Sequence, residues 1–195
     1  MTAAEIHGQL AAKFGVRLGP LEPAKMDAWA LVKSPDDLVE IMQFAKRELG
    51  FDCLINLTGI DWPKRNQIDV VYHLYSYSRR HAFVLKVSLP REKPSVPSIE
   101  SVWKSADWLE REQYDLLGVE FRGHPDLRRI MLPDDWIGHP LRRDYKEQAS
   151  WHGISTTRES PLDGFVRLDE LVKKKAAEAP AAQAVAPAAK KEVLQ

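Results

Sequence analysis

The sequence has few of the residues that bind redox cofactors, nucleotides or structural metals. Its single cysteine, Cys53, cannot form an internal disulfide, ligate an iron–sulfur cluster or build a structural zinc site by itself. None of the ten glycines belongs to a GxGxxG or Walker loop, and the motifs CxxC, HExxH and GxSxG are absent. We therefore expect no cofactor in this chain and a reducing compartment such as a bacterial cytoplasm.

The charge balance and the hydropathy pattern exclude further classes. Lys plus Arg and Asp plus Glu both number 28, so the formal net charge is zero, and nothing draws the chain to nucleic acid or to an anionic membrane. No segment approaches the roughly 20 apolar residues that span a bilayer. The first 16 residues also lack the apolar core of a signal peptide. We expect any membrane association to occur only through partners.

The hydrophobic periodicity predicts an α+β fold, with a compact domain over residues 1–118. Two amphipathic helices come first, over 4–18 and 34–50, the second capped by Ser34 with Pro35 at its first position. A small, mainly antiparallel sheet follows. Its three strands are predicted from apolar, β-branched or alternating segments at 51–60, 67–78 and 81–90, with a hairpin connection over 61–66.

A further helix is predicted from Asp107 to Gly118, with Glu110 closing a capping box at its start. On this helix Trp108, Glu112 and Leu116 fall at i, i+4 and i+8, which places Glu112 on an apolar stripe. An unpaired carboxylate buried there would be costly. We therefore expect Glu112 to pair with Arg128 or Arg129, as a forked contact. If that pair exists, Glu112→Ala destabilises the chain more than Glu110→Ala does. Arg111 and Asp115, also four apart, are expected to pair on the outer face.

Residues 119–172 are predicted to form an extended, irregular partner-binding arm. Gly-His-Pro occurs twice, at 123–125 and 138–140, and each copy leads into a leucine and two arginines. A long irregular stretch within a domain tends to be functional. Residues 173–195, rich in Ala, Pro and Lys, cannot bury enough apolar surface to fold and are expected to be a disordered tail.

The two histidines leave several functions open. With Asp126, Asp134 or Asp135, residues His124 and His139 have the right chemistry for zinc or iron, and a metal-dependent hydrolase remains an alternative. Nucleic-acid binding by the arginines is disfavoured by the four aspartates nearby. Arg and Trp are frequent anchors of protein interfaces, so an interaction module is favoured over an enzyme.

One segment, EREQYDLLGVEFRGHPDLRRIMLPDDWIGHPLRRDY, closely resembles the 30-kDa or C subunit of the proton-pumping NADH–quinone oxidoreductase, respiratory complex I. The match covers about 35 contiguous residues; Leu117, where many relatives have Phe, and Lys146, where many have Pro, depart from it. The residues that we expect to contribute to the partner interface or to the structural motif are Glu110, Arg111, Glu112, Asp115, Gly118, His124, Pro125, Arg128, Arg129, Trp136, His139, Arg142 and Arg143.

The resemblance implies a subunit without catalytic residues of its own, in the hydrophilic arm of the complex. There NADH reduces FMN, and electrons pass along iron–sulfur clusters to quinone, with all of these cofactors in partner subunits. Subunits D and B of the quinone-reducing module are the expected neighbours, at the cytoplasmic face of the bacterial inner membrane. Equivalent subunits occur in ferredoxin- or deazaflavin-driven quinone reductases and in membrane-bound hydrogenases, which remain alternatives.

Overall fold

The computed structural model describes residues 1–23 and 27–156. The chain divides into two compact units, one over residues 1–147 and one from residue 148 onward. The domain boundary predicted at 118/119 therefore falls inside the first unit. Part of the predicted arm, from 157 to 172, and the whole predicted tail over 173–195 lie outside the described residues.

Helix α1 spans Ala3–Phe14 and helix α2 spans Leu38–Arg47. A capping box fixes the start of α1: the Glu5 amide donates to the Thr2 hydroxyl oxygen, and the Thr2 amide donates to the Glu5 carboxylate. Ser34 and Pro35 occupy the predicted N-cap and first positions, but of a 3₁₀ turn at Pro35–Asp37 that precedes α2, and the Ser34 side chain makes no capping hydrogen bond.

Five strands form one sheet in the order β1-β2-β5-β4-β3. The three predicted strands are confirmed as β3 (Cys53–Trp62), β4 (Gln67–Ser76) and β5 (His81–Pro90), joined as antiparallel neighbours. Sequence reasoning missed β1 (Leu18–Glu22) and β2 (Trp29–Val32) between the two helices. β2 runs parallel to β5. Four residues are too few to show a clear period, and β1 contains glycine and proline, which strands disfavour.

The inner face of the sheet packs against α1 and α2 to form the core. The alternation predicted on β4 is confirmed, because Ile68, Val70, Tyr72 and Leu74 are all buried. They belong to one cluster with Ile6 and Leu10 of α1 and with Ile41 and Met42 of α2. The observed α+β architecture therefore agrees with the predicted fold class.

Helix α3 spans Ala106–Leu117 and packs along β3, an edge strand of the sheet. The Gln113 side chain accepts a hydrogen bond from the Gly59 amide at 2.9 Å and donates one to the Leu57 carbonyl at 3.5 Å. A Cβ at Gly59 would lie 2.2 Å from Leu117 Cδ1, so glycine is what lets the helix approach. The helix thereby occupies strand-edge groups that would otherwise attract another strand.

Two short parallel strands, β6 (Ser95–Pro97) and β7 (Glu120–Arg122), bring the chain before α3 beside the chain after it. Residues 123–149 then contain neither helix nor strand. In the second unit, the described residues form a hairpin of β8 (Ser150–Trp151) and β9 (Ile154–Ser155). No helix among the described residues is both long enough and apolar enough to cross a membrane.

Candidate functional site

The buried side of α3 is polar, which reverses the orientation expected from its sequence. Glu110, Arg111, Gln113 and Asp115 are buried, whereas Trp108 is 63% exposed. Glu112 and Leu116 are half-buried. The expectation that Arg111 and Asp115 form an outer-face pair was wrong for the same reason. A periodic stripe identifies one side of a helix, and here the polar side faces inward because neighbouring segments supply hydrogen-bond partners.

Asp115 is the main attachment point for the segment that follows the helix. Its fully buried carboxylate accepts hydrogen bonds from three consecutive backbone amides, of Ile130 at 3.1 Å, Met131 at 2.8 Å and Leu132 at 2.9 Å. The Arg129 guanidinium adds an ion pair at 3.1 Å. The four donors satisfy a charge that would otherwise be costly to bury. Asp115 therefore fixes the backbone path of residues 129–132.

The predicted ion pair of Glu112 with a following arginine was wrong. Arg129 pairs with Asp115, and Arg128 pairs with the exposed Asp126 at 2.9 Å. The predicted capping box was wrong as well. α3 begins one residue earlier, at Ala106, and Glu110 does not bond to Asp107; its carboxylate reaches across to the chain before the helix.

Glu110 joins the N-terminal half of α3 to the loop after β6. Its buried carboxylate accepts hydrogen bonds from the Ser98 hydroxyl at 2.6 Å and from the Ile99 amide at 2.8 Å. Burial raises the pKa of Glu110 from 4.5 to about 7, against these two hydrogen bonds, which lower it. Both carboxylate oxygens thus have hydrogen-bond donors from the protein, while the residue is fully buried from solvent.

The first Gly-His-Pro lies beside the N-terminal half of α3. The side chain of His124 is fully buried, and its Nδ1 accepts a hydrogen bond from the Asp126 amide at 3.1 Å. The other ring nitrogen, Nε2, lies 3.2 Å from the Asp107 carboxylate, 3.3 Å from the Asp107 carbonyl and 3.9 Å from the Glu110 carboxylate. Pro125 is exposed. His124 therefore fastens the turn to the first residues of the helix.

The second Gly-His-Pro completes the C-terminal end of the same helix. His139 Nδ1 bonds to the Asp115 carbonyl at 2.8 Å, the Leu141 amide donates to the Leu116 carbonyl at 3.0 Å, and Arg142 Nε donates to the Leu117 carbonyl at 2.8 Å. The last carbonyls of a helix have no partner within it. Residues 139–142 supply those partners from outside. Burial lowers the pKa of His139, in keeping with a neutral ring.

Gly118 permits this close approach of the second Gly-His-Pro. Its φ of +75° is the left-handed conformation that commonly ends helices. A Cβ at this position would lie 2.5 Å from His139 Nε2 and 3.0 Å from an Arg142 guanidinium nitrogen. Glycine is therefore required both by the backbone and by the neighbouring side chains.

A second attachment joins the end of the segment to the sheet. Arg91, after β5, donates to both oxygens of the buried Asp61 on β3, at 2.7 and 3.0 Å, and also to both oxygens of Asp144. The Arg143 amide donates to Asp61 at 2.8 Å. The Arg91 guanidinium lowers the pKa of the Asp61 and Asp144 carboxyls. Sequence reasoning missed Asp61 and Arg91, although Asp61 shares one side of β3 with the buried Leu57.

The remaining predicted residues lie along the same segment. The Arg111 guanidinium stacks on the Trp108 ring at 5.0 Å, and its Nε donates to the Arg128 carbonyl at 3.3 Å. The Trp136 indole donates to the Tyr145 hydroxyl at 2.9 Å. The side chains of His124, Arg129, His139 and Arg142 thus bond to α3, whereas Trp136 bonds to Tyr145, and Pro125, Arg128 and Arg143 are exposed.

The geometry disfavours a shared metal site. His124 contacts the helix at Asp107 and His139 contacts it at Asp115. Eight residues of helix separate these contacts by roughly 12 Å, which is too far for one ion. Among residues 1–23 and 27–156 there is no group of three His, Cys, Asp or Glu side chains arranged for a metal. Instead, the arrangement provides a surface of fixed shape, on which Met131, Ile137 and Leu141 are exposed.

Comparison with known proteins identifies the family. Residues 31–150 match the model of the respiratory-chain NADH dehydrogenase 30 Kd subunit. The chain is 46% identical over 124 residues to the C subunit of NADH-quinone oxidoreductase from Moorella thermoacetica, covering 64% of this chain and 84% of that one. It is 42% identical over 112 residues to the C subunit of F(420)H(2) dehydrogenase from Methanosarcina mazei, covering 57% and 71% respectively.

A solved structure agrees with these sequence matches. The trypsin-resistant fragment of Nqo5 superposes with a TM-score of 0.56 at 31% identity, covering 65% of this chain and the whole of the fragment. The family match includes most of the sheet, α3 and the segment that closes around it. The chain therefore belongs to the family of the 30-kDa subunit of respiratory-chain NADH dehydrogenase.

Proposed function

We propose that the chain is the C subunit of an NADH–quinone oxidoreductase and acts there as a scaffold in the hydrophilic arm, next to subunits D and B of the quinone-reducing module. Electrons pass from NADH through FMN and iron–sulfur clusters to quinone, and proton translocation is coupled to this transfer. In this proposal the chain carries none of the cofactors and no catalytic residue. It attaches to the cytoplasmic face of the bacterial inner membrane through its partners.

The fastening of residues 121–147 to α3 and β3 supports this proposal. Several polar groups of the shared motif form bonds within the chain: Asp115 accepts from three amides and pairs with Arg129, while His139 and Arg142 bond to helix carbonyls. Side chains that bond within the chain in this way hold the backbone in position and are not available to bind a substrate. A surface whose shape is fixed before binding loses less conformational entropy on docking, as expected of a scaffold.

A specific observation supports an electron donor other than NADH as an alternative. The similarity to a protein named for F(420)H(2) dehydrogenase, at 42% identity, supports an equivalent role in a deazaflavin-driven quinone reductase. The donor enters through a different module of such an assembly, so the scaffold role of this chain is the same in both. Ferredoxin-driven quinone reductases and membrane-bound hydrogenases are further alternatives, in which the chain would have the same scaffold role.

Affinity purification of the tagged chain from mildly solubilised membranes tests the proposal. Mass spectrometry of the eluate is expected to find subunits D and B, with a visible spectrum of flavin and iron–sulfur clusters contributed by partners. The flavin-bearing or deazaflavin-oxidising protein present in the eluate identifies the donor. A colourless chain that elutes alone would overturn the proposal, and stoichiometric zinc or iron bound to it would favour a metal hydrolase.

A further inference from the structure

The side of α3 that faces away from the protein body is apolar except for one carboxylate. Three residues form this side, here called the open face of α3: Trp108, Glu112 and Leu116. Trp108 is 63% exposed, and Glu112 and Leu116 are half-buried. The face continues onto the segment that follows, where Met131 is 63% exposed and Leu141 is 52% exposed. The backbones of these two residues are fixed to Asp115 and Leu116 of the helix.

Glu112 occupies the centre of this open face. Residues four apart on a helix are neighbours, so Glu112 leaves the helix between Trp108 and Leu116. The arginines nearest in the following segment have other carboxylate partners: Arg129 pairs with Asp115, and Arg128 with Asp126. Within the described residues no Lys, Arg or His forms an ion pair with Glu112.

The Trp108 ring is held in place before any partner binds. The Arg111 guanidinium covers one side of the indole at 5.0 Å and is itself buried. Arg111 is in turn fixed by its bond to the Arg128 carbonyl. A tryptophan whose orientation is fixed and whose outer side is exposed is the kind of anchor that contributes most at protein interfaces.

We propose that the open face of α3 is a docking surface for another subunit of the oxidoreductase complex, which covers Trp108 and Leu116 with apolar side chains and places a lysine or arginine against Glu112. The inference rests on the proposed function, because it assigns a surface to a partner within that assembly. Charge complementarity identifies the partner chemistry: an apolar contact that buries Glu112 must bring a cation, since an unpaired buried carboxylate would oppose binding.

A second copy of this chain fits the surface poorly. In a two-fold symmetric contact centred on the open face, each copy presents the same residues to the other. The two Glu112 carboxylates would then oppose each other without a cation on either side. Like charges facing each other across an interface are unfavourable, so a different chain is the better occupant.

Charge reversal at Glu112 tests the proposal in the assembled complex. We expect Glu112→Lys, in the tagged full-length chain that replaces the wild type in cells, to reduce the partner subunits retained at moderate salt by roughly tenfold or more. Glu112→Gln should give an intermediate loss. Glu48→Lys is the matched control, because Glu48 is an exposed acid at the end of α2; it should retain partners as the wild type does.

Two measurements separate the possible failures. The isolated Glu112 variants should melt within about 2 °C of the wild type, so that loss of partners is not loss of fold. If the wild-type chain retains no oxidoreductase subunits, the proposed function fails. If the wild type retains them and both Glu112 variants retain them equally well, the proposed function stands and the docking surface is wrong.

Photocrosslinking identifies the occupant directly. A photoreactive phenylalanine analogue in place of Trp108 is expected to crosslink to a different subunit, at a peptide that contains a lysine or arginine. Replacing that basic residue with glutamate should restore retention of the Glu112→Lys chain. A crosslink between two copies of this chain, or no crosslink in the intact complex, would overturn the proposal.

Discussion

His139 lies directly against Gly118, so that a Cβ on the glycine would come within 2.5 Å of the imidazole Nε2. The contact explains why the second Gly-His-Pro and the end of α3 depend on each other. The helix ends in a left-handed residue, and the imidazole fills the space that a side chain would occupy. From this position His139 reaches the Asp115 carbonyl, and Arg142 reaches the Leu117 carbonyl.

Gly118→Ala should therefore destabilise the chain by roughly 1–3 kcal/mol, since backbone strain adds to the clash with His139. Gly123→Ala is the matched control, because Gly123 has a φ of +80° but nothing within 4 Å of the Cβ position. Urea unfolding of both variants measures the difference. Equal losses of stability would show that the backbone alone, and not the contact with His139, requires glycine at 118.

Glu110→Ala should destabilise the chain by about 1–3 kcal/mol, because it leaves the half-buried Ser98 hydroxyl and the buried Ile99 amide without their acceptor. Glu112→Ala should change stability much less, since Glu112 is only half-buried. This order is the opposite of the one expected from the sequence. Thermal unfolding of the two isolated variants measures it, and a larger loss for Glu112→Ala would contradict the structure.

The pH dependence of stability should carry the signature of Glu110. Burial raises its pKa from 4.5 to about 7, so between these pH values the folded chain keeps a proton that the unfolded chain has released. The free energy of unfolding then falls as pH rises from 4.5 to 7, by up to about 3 kcal/mol from this group. Glu110→Gln should remove that fall relative to the wild type, whereas Glu112→Gln should keep it.

The predictable and unpredictable parts of this fold differ for a physical reason. The strands β3, β4 and β5 follow from apolar runs or from alternation, and α1 and α2 follow from apolar spacing. On α3 the same spacing wrongly predicted that Glu112 is buried and paired with an arginine. Apolar spacing along a helix does not show which hydrogen-bond donors other segments bring to it. The partners of Glu110 and Asp115 lie up to 17 residues away along the chain.

The candidate site shows the same limit. The family motif identified the residues that surround α3, but it did not show that the two Gly-His-Pro turns bind opposite halves of one helix. The sequence pattern places Asp61 in a hairpin connection. Nothing near it in the sequence points to its partner Arg91, which is 30 residues away. Its burial and its two-sided pairing through Arg91 depend on strand register, which one sequence does not reveal.

Arg91→Ala should destabilise the chain by about 3 kcal/mol, because it leaves the buried Asp61 carboxylate without its cation. Removing the exposed partner instead, in Asp144→Ala, should have little effect on folding, since water replaces it. Combining Asp61→Asn with Arg91→Ala should recover part of the loss, as a neutral amide is less costly to bury. Chemical denaturation of the three variants checks this order, and equal effects of Arg91→Ala and Asp144→Ala would argue against a buried pair.

Arg128 and Arg142 should separate folding from assembly. Arg142→Ala removes the donor to the Leu117 carbonyl at the end of α3, so it should lower the stability of the isolated chain by about 1 kcal/mol. Arg128→Ala removes an exposed side chain whose ion pair is with a residue two positions away, so the isolated chain should melt as the wild type does. Any loss of partner subunits in Arg128→Ala then reports a lost contact across the interface.

Melting curves of the purified chains, together with retention of partners in solubilised membranes, distinguish the two residues. An Arg128→Ala chain that unfolds as early as Arg142→Ala would place Arg128 in the attachment of the segment instead of on its outer surface.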